Sequence, residues 1–450
     1  KVQLVCFSMR QCIKLFGHLR FVQRRFMTDF FPQIARFVTS SFDPTVEACE
    51  VMQLSLLDWM ACGRSGATEP VAVAARAAGM VLTSGDQGAV VFGSPQRFPA
   101  GFAALINGAT SHALDYDDTH FAHIGHPSVV ILSAVMAIAA GRPTTEVIKA
   151  SLIGAEVSVR AGVWLGRSHY QAGFHQTATA GAFGATAAVG YILGLTEAQM
   201  GDAFGLVASR SGGLKAQFGT MAKPMNAGFA AQAGVEAALL VAHGVAANPV
   251  AADEFAGRYA GERDLSALDG LGHAWRMIEV SHKFHACCHG LHAALEALGT
   301  LDISDVAAIS LRTHSRWRSV CNQPSPTTGL GAKFSYTTVL CMAANGIDTA
   351  RMDSYGEPFV LSPECIAIRD CVTVVFDDNM SETAAEVIVT RADGAKLTAK
   401  HDLLAPQGMS LRRAKVRAKT AALLGPDIAD QIWDVIVAGA NPGDMARLMS

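Results

Sequence analysis

The stretch DYDDTHFAHIGHP, residues 115–127, places three aspartates and three histidines in a chain that is only 17% charged. Its histidines are spaced three residues apart, at His120, His123 and His126. On a helix this spacing would turn the outer two side chains about 120° away from each other, and Pro127 would interrupt the helix. The pattern therefore disfavours one metal ion bound by all three histidines, although a loop could still gather them.

An acid/base site fits this stretch better. Asp115, Asp118, Thr119 and His126 lie where one helical pattern ends and a loop leads into the next apolar helix. The positive end of that second helix favours a neutral imidazole and attracts anions, which suits an enzyme that takes a proton from a carboxylated substrate. The alternative is that Asp117 or Asp118 caps a helix or faces water, and we expect this for at least one of the three acids.

Two other segments place a polar residue at the mouth of a Gly/Ala-rich helix. In GFHQTATAGAFG, His175 and Thr177 precede the helix, although a single histidine is more often structural. In GTMAKPMNAGFAAQAG, Lys223 lies just before the helix in a nearly uncharged stretch. A lysine there is costly unless it meets an anion such as a substrate carboxylate, and the alternative is that its ammonium reaches solvent.

The segment SHKFHACCHGLHAALEAL, residues 281–298, carries the best metal pattern in the chain. If it is helical from about residue 285, one face beside Cys288 carries His285, His289 and His292. This arrangement would suit a metal-dependent hydrolase, but the glutamate of the HExxH motif is missing. The competing interpretation is that Lys283 binds an anion while the histidines and cysteines line a domain junction. Four downstream residues could be carboxylate clamps or ordinary surface: Arg316, Arg318, Lys333 and Ser335.

The elements that must position these residues form two regions. Residues 27–276 read as helices almost throughout, and several of these helices are apolar on all sides. Residues 277–406 contain runs of β-branched residues and an Asp393-Gly394 hairpin signal, and helical patterns return in 407–450. We predict a mainly α protein: a helical bundle domain, residues 27–276 plus 407–450, with a smaller inserted α+β lid domain, residues 277–406.

Residues 1–26 contain six Lys or Arg and no acid. This composition resembles a transit peptide, but it includes a single serine, and we expect an extension outside the fold. A net charge of −3 leaves no basic surplus for nucleic acid, and the apolar run 129–140 is too short to span a bilayer. Ten cysteines are too few for a disulfide scaffold. We therefore expect a cytoplasmic protein with reduced thiols that binds neither nucleic acid nor membrane.

Five segments in order resemble the MmgE/PrpD family, which includes 2-methylcitrate dehydratase, cis-aconitate decarboxylase and iminodisuccinate epimerase. They are NGATSHALDYDDTHFAHIGHPS, GFHQTATAGAFGATAAVGYILGL, KPMNAGFAAQAGVEAALLVAHG, KFHACCHGLHAALEAL and GAKFSY. The resemblance implies a large helical domain with a smaller α+β domain, a homodimer, a small carboxylate substrate, and no metal or other cofactor.

The resemblance also implies an active site between the two domains. Its catalytic residues would be Asp115, Thr119, His126 and His175, and its substrate-binding residues Lys223 and Lys283. An extra residue in the loop means that His123 could replace His126. Where the decarboxylase has a histidine, this chain has Cys288, also assigned to substrate binding. That difference favours a hydro-lyase that dehydrates a 2-methylcitrate-like substrate, as in propionate catabolism. Epimerisation and decarboxylation are the alternatives.

Overall fold

The computed structural model describes residues 29–41, 43–83, 88–439 and 442–449. The extension expected at residues 1–26 lies outside the described residues. Within them the protein is mainly α with a smaller α+β part, which confirms the predicted fold class. The division at residues 276 and 406, and the homodimer that the resemblance implies, stay predictions.

Helices form most of the N-terminal part of the chain. In order they are α1 (Phe30–Thr39), α2 (Val46–Gly66), α3 (Pro70–Leu82), α4 (Ala100–Ser111), α5 (Pro127–Met136), α6 (Thr144–Gln171), α7 (Gln176–Leu193), α8 (Glu197–Ala208), α9 (Ala222–Ala242) and α10 (Val250–Arg258). Helix α8 begins with a reciprocal capping box formed by Thr196 and Gln199. The short hairpin of β1 (Ala89–Val91) and β2 (Ser94–Phe98) interrupts this series and was not anticipated from the sequence.

The Ala/Gly-rich composition lets these helices approach closely. A Cβ added at Gly108 of α4 would lie 2.8 Å from the Cα of Gly228 on α9, and one at Gly228 would lie 2.4 Å from the carbonyl oxygen of Leu105. Larger residues at either position would push the two helices apart. Helices α5 and α7 lie inside the bundle and are buried almost all round, as their uniformly apolar sequences predict.

The C-terminal part combines one sheet with short helices. The sheet has the strand order β4-β3-β5-β6, formed by β3 (Val306–Thr313), β4 (Val372–Phe376), β5 (Ala384–Arg391) and β6 (Lys396–Asp402). Strand β3 is parallel to β4 and antiparallel to β5, while β5 and β6 form the hairpin that Asp393-Gly394 predicts. Gly394 has φ +86°, which explains the glycine at this turn.

The remaining helices are α11 (His292–Leu298), α12 (Gly329–Ala332), α13 (Tyr336–Ala344), α14 (Glu357–Val360), α15 (Pro363–Arg369), α16 (Met409–Leu424), α17 (Pro426–Val437) and α18 (Pro442–Met449). Buried residues form two clusters. One runs from Phe30 to Val280 and also takes in Val416 and Trp433, whereas the other lies mostly between Ala286 and Val389. The C-terminal helices therefore pack against the helical body.

Helix α9 is long and apolar enough to cross a bilayer by length and composition. However, 61% of its most apolar window is buried inside the protein. A core helix passes the same test, so this feature is weak support for a membrane span.

Candidate active site

The loop between α4 and α5 carries the aspartates and histidines of residues 115–127. Asp115 adopts the left-handed backbone region with φ 51°, a conformation that aspartate tolerates better than most residues. The ammonium of Lys283 donates a hydrogen bond to the Asp115 carbonyl oxygen and so supports this turn. His126 is the residue before α5, at the helix mouth where the sequence predicts it.

Three cationic or protonatable groups converge on the Asp115 carboxylate. Its Oδ1 lies 2.6 Å from Lys223 Nζ, 3.3 Å from His126 Nε2 and 3.7 Å from Lys283 Nζ. The Asp115 side chain is 39% exposed, whereas that of Lys283 is only 2% exposed. Burial alone would raise the pKa of the Asp115 carboxyl, but the two ammonium groups and His126 hold it well below its usual value. Lys223 lies in the first turn of α9, one residue inside the helix rather than just before it.

The Asp117 carboxylate contacts two imidazoles next to the Asp115 group. Its carboxylate lies 2.9 Å from His112 Nδ1 and 3.1 Å from His126 Nδ1. Burial opposes a charge on His126, but the Asp117 and Asp115 carboxylates outweigh it and raise the pKa of this imidazole. Burial lowers the pKa of His112 despite Asp117. Of the two imidazoles, His126 is therefore the one that holds a proton more readily.

Asp118 has a structural role. Its carboxylate accepts a hydrogen bond of 2.7 Å from Ser55 Oγ and one of 3.3 Å from the backbone N–H of Ser128. The second contact satisfies a backbone donor in the first turn of α5. Asp118 therefore caps that helix, although it is not the residue next to the helix start. This is the role expected for at least one of the three acids.

His175 lies at the mouth of α7, as predicted from the sequence, and is buried. Asn226 Nδ2 donates a 3.2 Å hydrogen bond to its Nδ1, and Phe218 packs edge-on against its ring. The ring centroid of His175 is 6.0 Å from that of His112, so His175 lies next to the imidazole that contacts Asp117. Burial lowers the pKa of His175 well below its usual value, so it is neutral. A cavity of about 300 Å³, lined in part by Gly213, Asn226 and Gln232, lies beside it.

The segment that carries Lys283 is joined to the aspartate loop. Thr119 and Ser281 exchange backbone hydrogen bonds of 2.9 and 2.7 Å. Thr119 Oγ1 lies 2.6 Å from His289 Nδ1, and burial lowers the pKa of that imidazole well below its usual value. Cys288 Sγ lies 3.0 Å from Cys321 Sγ. Thr119 and Lys283 thus belong to the same site as Asp115.

The prediction of a helix that starts at about residue 285 is wrong. Helix α11 begins at His292, after a single 3-10 turn. The backbone donors that a helix would need are used elsewhere, because the N–H of Ala286 bonds to Thr349 and that of Cys288 bonds to Lys333. This segment therefore follows its tertiary partners rather than its own helical pattern.

The three histidines of the alternative metal site are nevertheless neighbours. The ring centroids of His285 and His292 are 5.0 Å apart, and those of His289 and His292 are 4.7 Å apart. Their nitrogens already contact protein groups, since His285 Nδ1 lies 2.6 Å from Thr349 Oγ1 and His289 Nδ1 bonds to Thr119. The hydrolase alternative therefore gains no support from the geometry.

His120 and His123 lie apart from the Asp115 group. His120 Nε2 lies 3.0 Å from the carbonyl oxygen of Arg276, while His123 Nε2 lies 3.2 Å from Ser158 Oγ. Burial lowers the pKa of His120 to about 4 and that of His123 to about 3. The structure thus brings His126, and not His123, to the Asp115 carboxylate.

The four candidate clamps have structural contacts. Ser335 caps α13, and Arg316 forms a salt bridge with Glu382. The guanidinium of Arg318 lies 4.7 Å from the ring centroid of Phe376. The remaining residue, Lys333, contacts Met352 Sδ at 3.6 Å.

Four side chains around Asp115 and Asp117 could together surround a metal ion. Each offers a ligand atom within 4.8 Å of the others: His112, Asp115, Asp117 and His126. The ammonium groups of Lys223 and Lys283 already contact the Asp115 carboxylate. A divalent cation bound there would be repelled by both of them. The donor set is better suited to proton transfer and anion binding than to a metal centre.

Sequence reasoning missed several contributors. His112 was not singled out, although it stands in the same motif and lies three residues before Asp115. Asn226, three residues after Lys223 on α9, shares a helix face with that lysine, which was a readable signal. The sequence suggested His289 as a metal ligand or as part of a domain junction, and not as a partner of Thr119. No local pattern pairs it with Thr119, because the two are distant in sequence.

Comparisons with known proteins match most of the chain to one family. Residues 32–262 match the MmgE/PrpD N-terminal domain, and residues 285–438 match the MmgE/PrpD C-terminal domain. The chain is 24% identical to cis-aconitate decarboxylase of Homo sapiens over 441 residues, 89% of this chain and 91% of that protein. It is 25% identical to the Mus musculus protein of that name over 395 residues, 79% of each. It is also 32% identical to the Aspergillus terreus protein over 232 residues, 47% of each. These relatives are lyases, and the chain belongs to the MmgE/PrpD family.

Proposed function

We propose that this chain is a lyase that decarboxylates a small unsaturated tricarboxylate of the cis-aconitate type without a metal or organic cofactor. The observation that carries the proposal is the convergence of Lys223, Lys283 and His126 on one carboxylate, that of Asp115. A substrate carboxylate offers the same charge and geometry as Asp115, so these cations are suited to bind it. The names of the relatives in three organisms support the same reaction.

Decarboxylation needs a cationic site and a proton. The bond from carbon to one carboxylate breaks and CO2 leaves, while the electron pair shifts through the neighbouring double bond. A proton then adds at the far carbon of that double bond. Lys223 and Lys283 would stabilise the negative charge that develops beside the remaining carboxylates. His126, whose pKa is raised by the Asp117 and Asp115 carboxylates, would supply the proton.

Dehydration of a 2-methylcitrate-like substrate is the second candidate. The observation that favours it is Cys288, which carries no ring nitrogen at the position where the resemblance places a histidine in the decarboxylase. In that reaction a base would remove a proton next to a carboxylate, and His126 would protonate the departing hydroxyl. The same cations would stabilise the intermediate negative charge.

A substrate panel tests both candidates. Purified protein would be incubated with cis-aconitate, citrate, 2-methylcitrate and iminodisuccinate in D2O, with and without a chelator, and followed by proton NMR and CO2 release. We expect CO2 only from cis-aconitate, at a rate that the chelator does not change. Loss of water from 2-methylcitrate without CO2 would establish dehydration instead. Deuterium uptake into iminodisuccinate without either loss would indicate an epimerase, and no change in any of the four would overturn the proposal.

A further inference from the structure

Asn226 and His175 form a buried pair whose hydrogen-bond polarity can be read from the geometry. Asn226 Nδ2 lies 3.2 Å from His175 Nδ1 and 3.5 Å from the carbonyl oxygen of Leu214. A carbonyl can only accept, so the amide nitrogen must face Leu214. Turning the Asn226 amide over would set its oxygen against that carbonyl oxygen. The amide nitrogen therefore also faces His175, and Nδ1 of that imidazole must accept.

This polarity fixes the tautomer of His175. A neutral imidazole carries one proton, and if Nδ1 accepts a hydrogen bond then the proton is on Nε2. His175 is neutral because burial lowers its pKa and because His112, Lys223 and His126 lie nearby. In this tautomer it can donate a hydrogen bond through Nε2, but neither nitrogen is free to remove a proton.

We propose that Asn226 is a positioning residue that selects the reaction by holding His175 as a hydrogen-bond donor rather than a base. This inference rests on the proposed function and deepens it. Decarboxylation needs a proton at carbon and no base, whereas dehydration and epimerisation both begin with removal of a proton. In this arrangement His126 would supply the proton at carbon, while His175, protonated at Nε2, would donate a hydrogen bond to the substrate. Asn226 thereby favours loss of CO2 over the other two reactions.

The placement of Asn226 agrees with this role. It lies on α9, three residues after Lys223, so one turn of one helix sets both the substrate-binding ammonium and the tautomer of His175. Asn226 is 7% exposed. Because its side chain is buried, the hydrogen bond between its amide and His175 is stronger than it would be in water.

The deciding variant is Asn226→Asp. An aspartate accepts the proton of Nδ1, so His175 would carry its proton there and expose an unprotonated Nε2. We expect at least a tenfold loss of CO2 release from cis-aconitate. We also expect new deuterium uptake at the methylene carbon of the unreacted substrate in D2O. The matched control is Gln232→Glu, the same amide-to-acid change on α9 at the same cavity, which should leave CO2 release unchanged and add no exchange.

A second pair of variants keeps the test decisive if Asn226→Asp does not fold. Glutamine can donate a hydrogen bond near the position of Nε2 but cannot act as a base, so His175→Gln should retain roughly tenfold more CO2 release than His175→Ala. Equal activity of these two variants would overturn the inference. So would Asn226→Asp with wild-type CO2 release and no exchange. If wild-type protein itself releases no CO2, the proposed function fails first, and the two failures are thus distinguishable.

Discussion

The ammonium nitrogen of Lys223 lies 2.6 Å from Oδ1 of Asp115, and this contact joins α9 to the loop that follows α4. The Asp115 side chain keeps 39% of its surface exposed, so the ion pair stands at an open edge of the site. An incoming carboxylate can share or take over the lysine there. The pair therefore holds the ammonium in place before substrate arrives, which lowers the ordering cost of binding.

Lys223→Gln tests this contact. Loss of the ammonium removes one charge-assisted hydrogen bond to the substrate carboxylate, which is worth about 1.5–3 kcal/mol. We expect kcat/KM for the tricarboxylate to fall by roughly ten- to a hundredfold. The control is Lys400→Gln, which removes a lysine that is 65% exposed on β6 and should leave kcat/KM unchanged. Equal kinetics for both variants would exclude Lys223 from substrate binding.

His175→Ala removes the imidazole at the mouth of α7. We expect turnover to fall at least about a hundredfold, because a positioned hydrogen-bond donor to the charge that develops in the reaction contributes about that much. The circular dichroism spectrum and unfolding midpoint should stay close to wild type. His243→Ala changes an exposed histidine at the end of α9 and serves as the control. Near-normal turnover of His175→Ala would remove this residue from the mechanism.

The pH dependence of the reaction should depend on Asp117. Burial opposes a charge on His126, but the Asp117 and Asp115 carboxylates outweigh it and raise the pKa of this imidazole. Asp117→Asn removes one of the two carboxylates, so the pKa of His126 should fall. A proton donor with a lower pKa loses its proton at lower pH, and the basic limb of kcat/KM should therefore move to lower pH. An unmoved basic limb would mean that another group supplies the proton.

Helix α16 is attached to the bundle by a buried ion pair between Lys419 and Asp58. The Lys419 ammonium also donates a 2.6 Å hydrogen bond to the carbonyl oxygen of Tyr116, beside the aspartate loop. Lys419→Met leaves Asp58 buried without its partner and should cost about 3–5 kcal/mol of unfolding free energy, measured with denaturant. Arg417→Met breaks an exposed pair on the same helix and should cost at most about 1 kcal/mol. Similar losses for the two variants would contradict this account.

Features set by nearby residues were predictable from the sequence. The helix mouths at His126 and His175 follow from proline and Gly/Ala patterns, and the turn between β5 and β6 follows from Asp393-Gly394. The pairing of Thr119 with His289 depends on tertiary contacts that no local pattern encodes. The same cause explains the wrong helix before His292, where backbone donors bond to distant segments. The hairpin of β1 and β2 was missed because its strands are short.

The most direct test of the central claim is a crystal structure with propane-1,2,3-tricarboxylate, a saturated analogue that lacks the double bond through which the electron pair would shift. The account predicts one carboxylate of this analogue within hydrogen-bond distance of the ammonium groups of both Lys223 and Lys283. It also predicts that His126 and His175 face the carbon chain of the bound molecule. An analogue bound elsewhere, with the Asp115 contacts of both lysines intact, would contradict the claim.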